Sequence, residues 1–289
     1  MSAGDVLSAS YERCRELHRR HGRTYYLATR LLPAWKRPHV YALYGFARYA
    51  DEIVDRLDGS TPEQRRASLE AWSATFLAGL AGEAIDDPIL PAVLHTIEEF
   101  DLDRADFALF LRSMAMDLTV AAYPTYADLI DYMEGSAAVI GAMMLPILGA
   151  ADRAAALPPA RELGRAFQLT NFIRDVGEDL DRGRIYLPQA DLDRFGIETL
   201  TDRVATPAVR ELIAFEVSRA RLHYAAARPG IEMLDAASQP CMRTAYRLYS
   251  GILDEIERAD FDVFSRRAVV PRRRQVAVAA SCLLLKSGR

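Results

Sequence analysis

The chain has 289 residues, 51% of them apolar and 26% charged, which excludes a disordered protein and leaves room for a substantial core. Its formal net charge of −4 gives general nucleic-acid binding no electrostatic support. Three scattered cysteines, Cys14, Cys241 and Cys282, exclude a disulfide framework or a zinc site.

Apolar residues recur with helical period almost everywhere, and convincing alternating strand patterns are absent. The periodicity predicts helices over 5–20, 36–56, 63–80, 88–99, 104–118, 126–149, 159–181, 207–227, 231–238, 240–259 and 272–285. Most prolines fall at proposed starts or links, and Thr61-Pro62 and Asp87-Pro88 read as an N-cap followed by a first-turn proline. No linker or composition shift divides the chain, so residues 1–289 are expected to form one all-α domain. Met1–Ser10 lacks a basic segment followed by an apolar run. The longest apolar stretch, 137–150, is short of a bilayer span and interrupted by Pro146. A cytoplasmic location is therefore expected.

Near the end of the second predicted helix lies DEIVD (51–55), and DVGED (175–179) repeats its spacing. Each places an aspartate at i and i+4: Asp51 with Asp55, and Asp175 with Asp179. Like charges one turn apart on a helix face weaken it by about 0.2–0.5 kcal/mol. A magnesium ion offsets that repulsion, because it takes carboxylate oxygens and keeps open positions for phosphate. Acid pairs at this spacing arise by chance, and these two are set apart by their company. Tyr44, Arg48, Asp51 and Asp55 fall within roughly 60° on one helix face, and Gln168, Asn171, Asp175 and Asp179 within roughly 80° on another. The pattern points to a magnesium-dependent enzyme acting on diphosphates.

Between the motifs, the predicted helix 126–149 carries Gly135, Ser136, Ala137, Ala138, Gly141 and Ala142, then Met143 and Met144. Small residues let neighbouring helices pack closely. They also vacate volume for a long apolar ligand, with methionines to line it. In the second sense, enlarging a residue such as Ala138 should shorten the ligand accepted. After the second motif, Gly183 should end its helix and leave Arg184 and Tyr186 in a short extended segment beyond Asp179. The basic run SRRAVVPRRR (265–274) reads as a solvated face, a diphosphate lid or a surface for anionic membrane.

Three blocks, YGFARYADEIVD (44–55), QLTNFIRDVGEDLDRGRIYLP (168–188) and YSGILDEIERADFDVFSRR (249–267), together resemble the squalene/phytoene synthase family. The resemblance runs from about His18 to Arg274, and YMEGSAAVIGAMMLP (132–146) looks most like bacterial phytoene synthases. It implies a single-domain, isoprenoid-synthase-type helical bundle with the acid motifs facing each other across a central cavity. By the same resemblance, Asp51, Asp55, Asp175 and Asp179 are catalytic and, with Asn171, hold Mg2+, for which Mn2+ substitutes. Arg48, Tyr132, Gln168, Asn171, Arg174, Arg184, Tyr186, Tyr249 and Arg266 match positions that contact the substrate. Two departures stand out: Gly22-Arg23-Thr24 where many relatives have a serine, and Glu134 within the segment that follows Tyr132.

The implied reaction joins two prenyl diphosphates head to head through a cyclopropylcarbinyl diphosphate, geranylgeranyl diphosphate giving phytoene. Alternatives are a dehydrosqualene, squalene or presqualene diphosphate synthase using farnesyl diphosphate, or a non-catalytic scaffold on the same fold. A head-to-tail elongase or a terpene cyclase more typically shows DDxxD, which neither motif has. No dinucleotide fingerprint follows a strand, and no NADPH is expected.

Overall fold

The structure is a computed structural model that describes residues 3–56 and 58–284. Its helices are α1 (Ala3–His21), α2 (Arg23–Thr29), α3 (Arg37–Val54), α4 (Pro62–Leu80), α5 (Leu90–Phe100), α6 (Arg104–Met116), α7 (Tyr126–Met133), α8 (Val139–Leu148), α9 (Arg153–Arg174), α10 (Val176–Asp181), α11 (Gln189–Arg194), α12 (Pro207–Met233), α13 (Gln239–Arg258) and α14 (Arg272–Leu284). Isolated bridges Ala122–Ile185 and Ala150–Leu234 are the β pairing among the described residues. The all-α expectation holds. The predicted end of the last helix at 285, like Lys286, lies outside the described residues.

Several helix starts follow from local chemistry. Thr61 and Gln64 form a reciprocal capping box at α4. Asp87 Oδ1 accepts the backbone N–H groups of Ile89 and Leu90 at 2.7 and 2.8 Å, just ahead of α5.

Four boundaries differ from the expected ones. Helix α9 starts at Arg153, where Asp152 accepts from Ala155 N (3.0 Å), so Pro158 and Pro159 sit inside it. It ends at Arg174, and Asp175 stands in the break before α10. Residues 207–233 form one helix through Pro229, and the predicted helix at 231–238 gives way to a turn. That turn is held by buried Lys36, whose Nζ donates to Leu148 O (2.6 Å), Asp235 (3.0 Å) and Ser238 Oγ (3.1 Å). Helices α2 and α11 fall in segments expected to be loops, being only seven and six residues long.

The small-residue stretch is continuous from α7 to α8 through one π turn, Glu134–Ala138. Its glycines do packing work. A Cβ at Gly141 would lie 2.1 Å from Ala160 O, and one at Gly164 would lie 2.3 Å from Ala137 O. Helices α8 and α9 thus meet backbone to backbone. Glu134 pins the wide turn to α9 through salt bridges to Arg161 and Arg165. One apolar cluster gathers around Phe46, packed by Trp72, Phe76, Phe107 and Phe110. A second joins α9, α12 and α13, and Phe167 and Met242 pack against both.

Candidate active site

The two acid motifs come together at one end of the bundle. Asp51 sits in the last turn of α3, and Asp55 caps that helix. Asp175 occupies the break between α9 and α10, and Asp179 lies in α10. Gly183, at φ +71°, reverses the chain as its position predicted, so that the Arg184 N–H returns to Asp179 O at 2.9 Å. Arg182 Nε stands 3.6 Å from Asp55 and its Nη1 3.6 Å from Asp179, which makes it a bridge between the motifs. Arg184 Nη1 donates to Asp55 at 2.7 Å.

Each remaining carboxylate has its own arginine. Arg48 Nη1 donates to Asp51 at 2.6 Å. Asp175 is clamped twice, by Arg174 (2.7 and 2.5 Å) and by Arg267 (2.8 and 2.9 Å). Arg267 enters where Arg266 was expected. Both are exposed, and it is Arg267 that the bend after Phe264 brings onto Asp175. Arg274 pairs with Asp254 and Glu255, so the basic run 265–274 is partly consumed by ion pairs.

A fifth aspartate was not singled out from the sequence. Asp117, just past α6, accepts the hydroxyls of Tyr132 (2.7 Å) and Tyr186 (2.9 Å). Tyr186 stacks on Phe172 at 4.1 Å between ring centroids. Tyr132 and Tyr186 therefore orient Asp117 toward Arg184 and Asp55 rather than lining the cavity themselves. The signal for Asp117 is weak in sequence, because it is a lone acid at a helix end.

Beside the acids opens an apolar cavity of about 310 Å3. Val40, Leu43, Ala137, Ile140, Met144, Leu148, Phe167 and Met242 form its walls, with Gln168 and Asn171 at the end nearest the acids. Ala138, expected as a wall residue, is fully buried and is not part of the lining; Ser136, Ala137, Ile140, Gly141 and Met144 are. Both readings of the small-residue stretch hold, since Gly141 packs backbone to backbone on α9 and also borders the cavity with Ser136, Ala137, Ile140 and Met144. Tyr249 stacks on Tyr25 (4.3 Å) and packs on Phe167 (4.7 Å) near that polar end.

The electrostatics suit a hard cation. Although 41% of the Asp51 side chain is accessible, protein surrounds its recess. That burial, and then the charge on Asp55, push it up to about 7. Burial and the charge on Asp175 push Asp179 up to about 7. Burial raises Asp117 to about 6 against the pull of Arg184. Burial would also raise Asp175, but its two arginine clamps outweigh that and hold it below the usual carboxylate range. Asn171 Oδ1 is buried with no hydrogen-bond partner, an oxygen left free beside the carboxylates. Among the described residues no three His, Cys, Asp or Glu side chains stand together at metal-binding distance. Arginines separate the acids instead, and the donors present are the all-oxygen kind that Mg2+ takes.

The squalene/phytoene synthase family model matches residues 18–274. The chain belongs to the squalene/phytoene synthase family. Among relatives, the phytoene synthase of Arthrospira platensis is 37% identical over 91% of this chain and 89% of its own length. The 15-cis-phytoene synthase of a Synechocystis species is 38% identical, covering 91% and 81%. A crystal structure of a dehydrosqualene synthase with a ligand superposes with a TM-score of 0.89 at 28% identity, covering 99% of this chain and all of that one. Against the pattern expected of this squalene/phytoene synthase family, the structure accounts for both departures. Glu134 anchors the π turn to α9. At Gly22 a Cβ would lie 2.6 Å from the Tyr44 ring and 2.8 Å from the His18 ring.

Proposed function

We propose that this chain, acting as one catalytic domain, condenses two molecules of geranylgeranyl diphosphate head to head and yields phytoene with release of diphosphate. The observation that carries this reading is the meeting of two aspartate pairs and their arginines at the polar end of an apolar cavity, in a chain whose relatives include phytoene synthases. Asp51, Asp55, Asp175, Asp179 and Asn171 would hold the metal. When bound, Mg2+ supplies Lewis-acid stabilisation of the leaving diphosphate. Arg48, Arg174, Arg182, Arg184 and Arg267 are within reach to pair with diphosphate oxygens, and planar guanidinium forks suit them. The apolar walls keep water from the carbocations.

The test is direct. Purified protein with geranylgeranyl diphosphate and Mg2+, and no nicotinamide, should form a hydrocarbon with the ultraviolet absorption of a conjugated triene. Strict dependence on NADPH, or a product without that absorption, overturns the phytoene reading. The likeness to a dehydrosqualene synthase across the whole chain favours one second reading, the same reaction on farnesyl diphosphate. The two differ in product length, which the same assay reads.

Cavity volume should set that length. Met242 is one of the side chains lining the apolar cavity, where Met242→Trp removes space. We expect it to shift kcat/KM toward the shorter diphosphate by about 10-fold or more; an unchanged preference would remove this wall from chain-length control.

The hydrocarbon product must leave into lipid, and no helix among the described residues is long and apolar enough to cross a membrane. An open groove lined by Arg15, Arg19, Arg30 and Arg37 lies beside Trp35, which is 61% exposed. We expect this face against anionic lipid. Flotation with phosphatidylserine vesicles should be lost at high salt and weakened by Trp35→Ser; no flotation at low salt rejects it.

A further inference from the structure

His18 is a buried polar side chain for which the fold provides no partner. It is 1% exposed, and neither ring nitrogen makes a hydrogen bond. An unpaired buried polar group costs about 1–3 kcal/mol, so its retention calls for a reason. Its ring lines the apolar cavity. Aromatic rings hold it in place: Tyr44 stacked at 4.1 Å and 12°, with Tyr26 and Tyr41 meeting it edge-on at 5.6 and 5.5 Å. Gly22, one turn after His18, leaves the room that this stack occupies, since any Cβ there would collide with both rings.

The depth of His18 in the cavity also matters. Its partner Tyr44 lies seven residues before Asp51 on α3, or about 10 Å along the helix axis. With diphosphates at the carboxylates, that is the depth of the first carbons of the prenyl chains. Among the described residues, the other fully buried side-chain atoms of the lining without a partner are Ser136 Oγ and Asn171 Oδ1, and neither a hydroxyl nor an amide oxygen is a comparable base. Burial pushes His18 down to about 3, so the imidazole is neutral, with a free lone pair, throughout the working pH range.

We propose that His18 is the catalytic base that takes the proton in the last step of the reaction. The inference rests on the reading above, in which that step is proton loss. A C–H bond next to the final allylic cation breaks, and its electron pair becomes the central C=C of the triene. The proton passes to the free imidazole nitrogen and leaves to solvent as the product departs. A neutral base is suited to this place, because an imidazolium would repel the preceding cations.

His18→Phe and His18→Leu test it, since both are apolar and neither recreates the unpaired nitrogens. The expected result is a melting temperature equal to or above that of the wild type. Diphosphate release should continue, while triene formed per diphosphate released falls at least tenfold and cyclopropylcarbinyl diphosphate or alcohols accumulate. An unchanged triene yield in either folded variant overturns the proposal. So does equal loss of diphosphate release and triene, which marks a structural role. Failure of the wild type itself to consume prenyl diphosphates would instead strike the proposed function.

Discussion

Asp51→Asn and Asp175→Asn are each expected to lower turnover by at least about 100-fold at saturating Mg2+, with the protein still folded. Asparagine keeps the size of the side chain and one oxygen but removes the charge that a metal requires. At Asp175 the change also releases Arg174 and Arg267 from their shared partner. At Asp51 it removes a charge that the recess disfavours, so the variant should melt no lower than the wild type at pH 8. Asp181→Asn is the control: Asp181 is exposed and pairs with Arg203 away from the cavity, and its variant should keep its rate within about twofold. Steady-state product formation measures both, and near-wild-type rates in Asp51→Asn or Asp175→Asn would remove the carboxylates from the chemistry.

Removing metal with a chelator should abolish product formation, and adding Mg2+ or Mn2+ should restore it. The demand for metal should depend on pH in a defined window. Asp51 and Asp179 hold protons up to about pH 7 and must lose them to bind a cation. Each proton displaced weakens the apparent affinity by up to about tenfold per pH unit, so two give up to about 100-fold per unit below pH 7. Metal titrations at pH 6 and 8 measure this, and equal affinities would contradict it. In the unfolded chain these carboxylates ionise near pH 4. The folded, metal-free protein therefore binds more protons between about pH 4 and 7. Their effect on stability is most unfavourable above pH 7 and fades as the pH falls. Relative to Asp179→Asn, the metal-free wild type should lose melting temperature between pH 5 and 8.

Helix identity was largely legible in the sequence because the apolar stripe of each long helix repeats over several turns. Thr61-Pro62 was marked correctly, since that cap is local. At Asp87-Pro88 the helix instead starts two residues later, at Leu90 with Ile89 as its N-cap, and Asp87 only accepts the N–H groups of Ile89 and Leu90. Prolines misled at Pro158 and Pro229, where packing between α9 and α12 overrides a local preference: Gly230 comes so close to Pro159 that a Cβ would lie 2.7 Å from its ring. Helices α2 and α11 are too short for periodicity to register. At the site, the spacing of Asp51 with Asp55 and of Asp175 with Asp179 was visible, but the break that frees Asp175 from a single helix was not. Asp117, Arg182, Arg267 and His18 become visible only in three dimensions, because their partners come from distant segments.

The backbone contact between α8 and α9 bears on how this cavity can change over generations. Carbonyl oxygens of Ala137 and Ala160 stand where side chains at Gly164 and Gly141 would go, so that hairpin admits almost no drift at those positions. Elsewhere the lining includes the side chains of Val40, Leu43, Ile231 and Met242, and exchanges among such residues cost little when volume is roughly kept. Inheritance therefore acts differently on the two parts. One is a fixed template passed on intact, and the other is where lineages can diverge in hydrocarbon length by single substitutions without rebuilding the bundle.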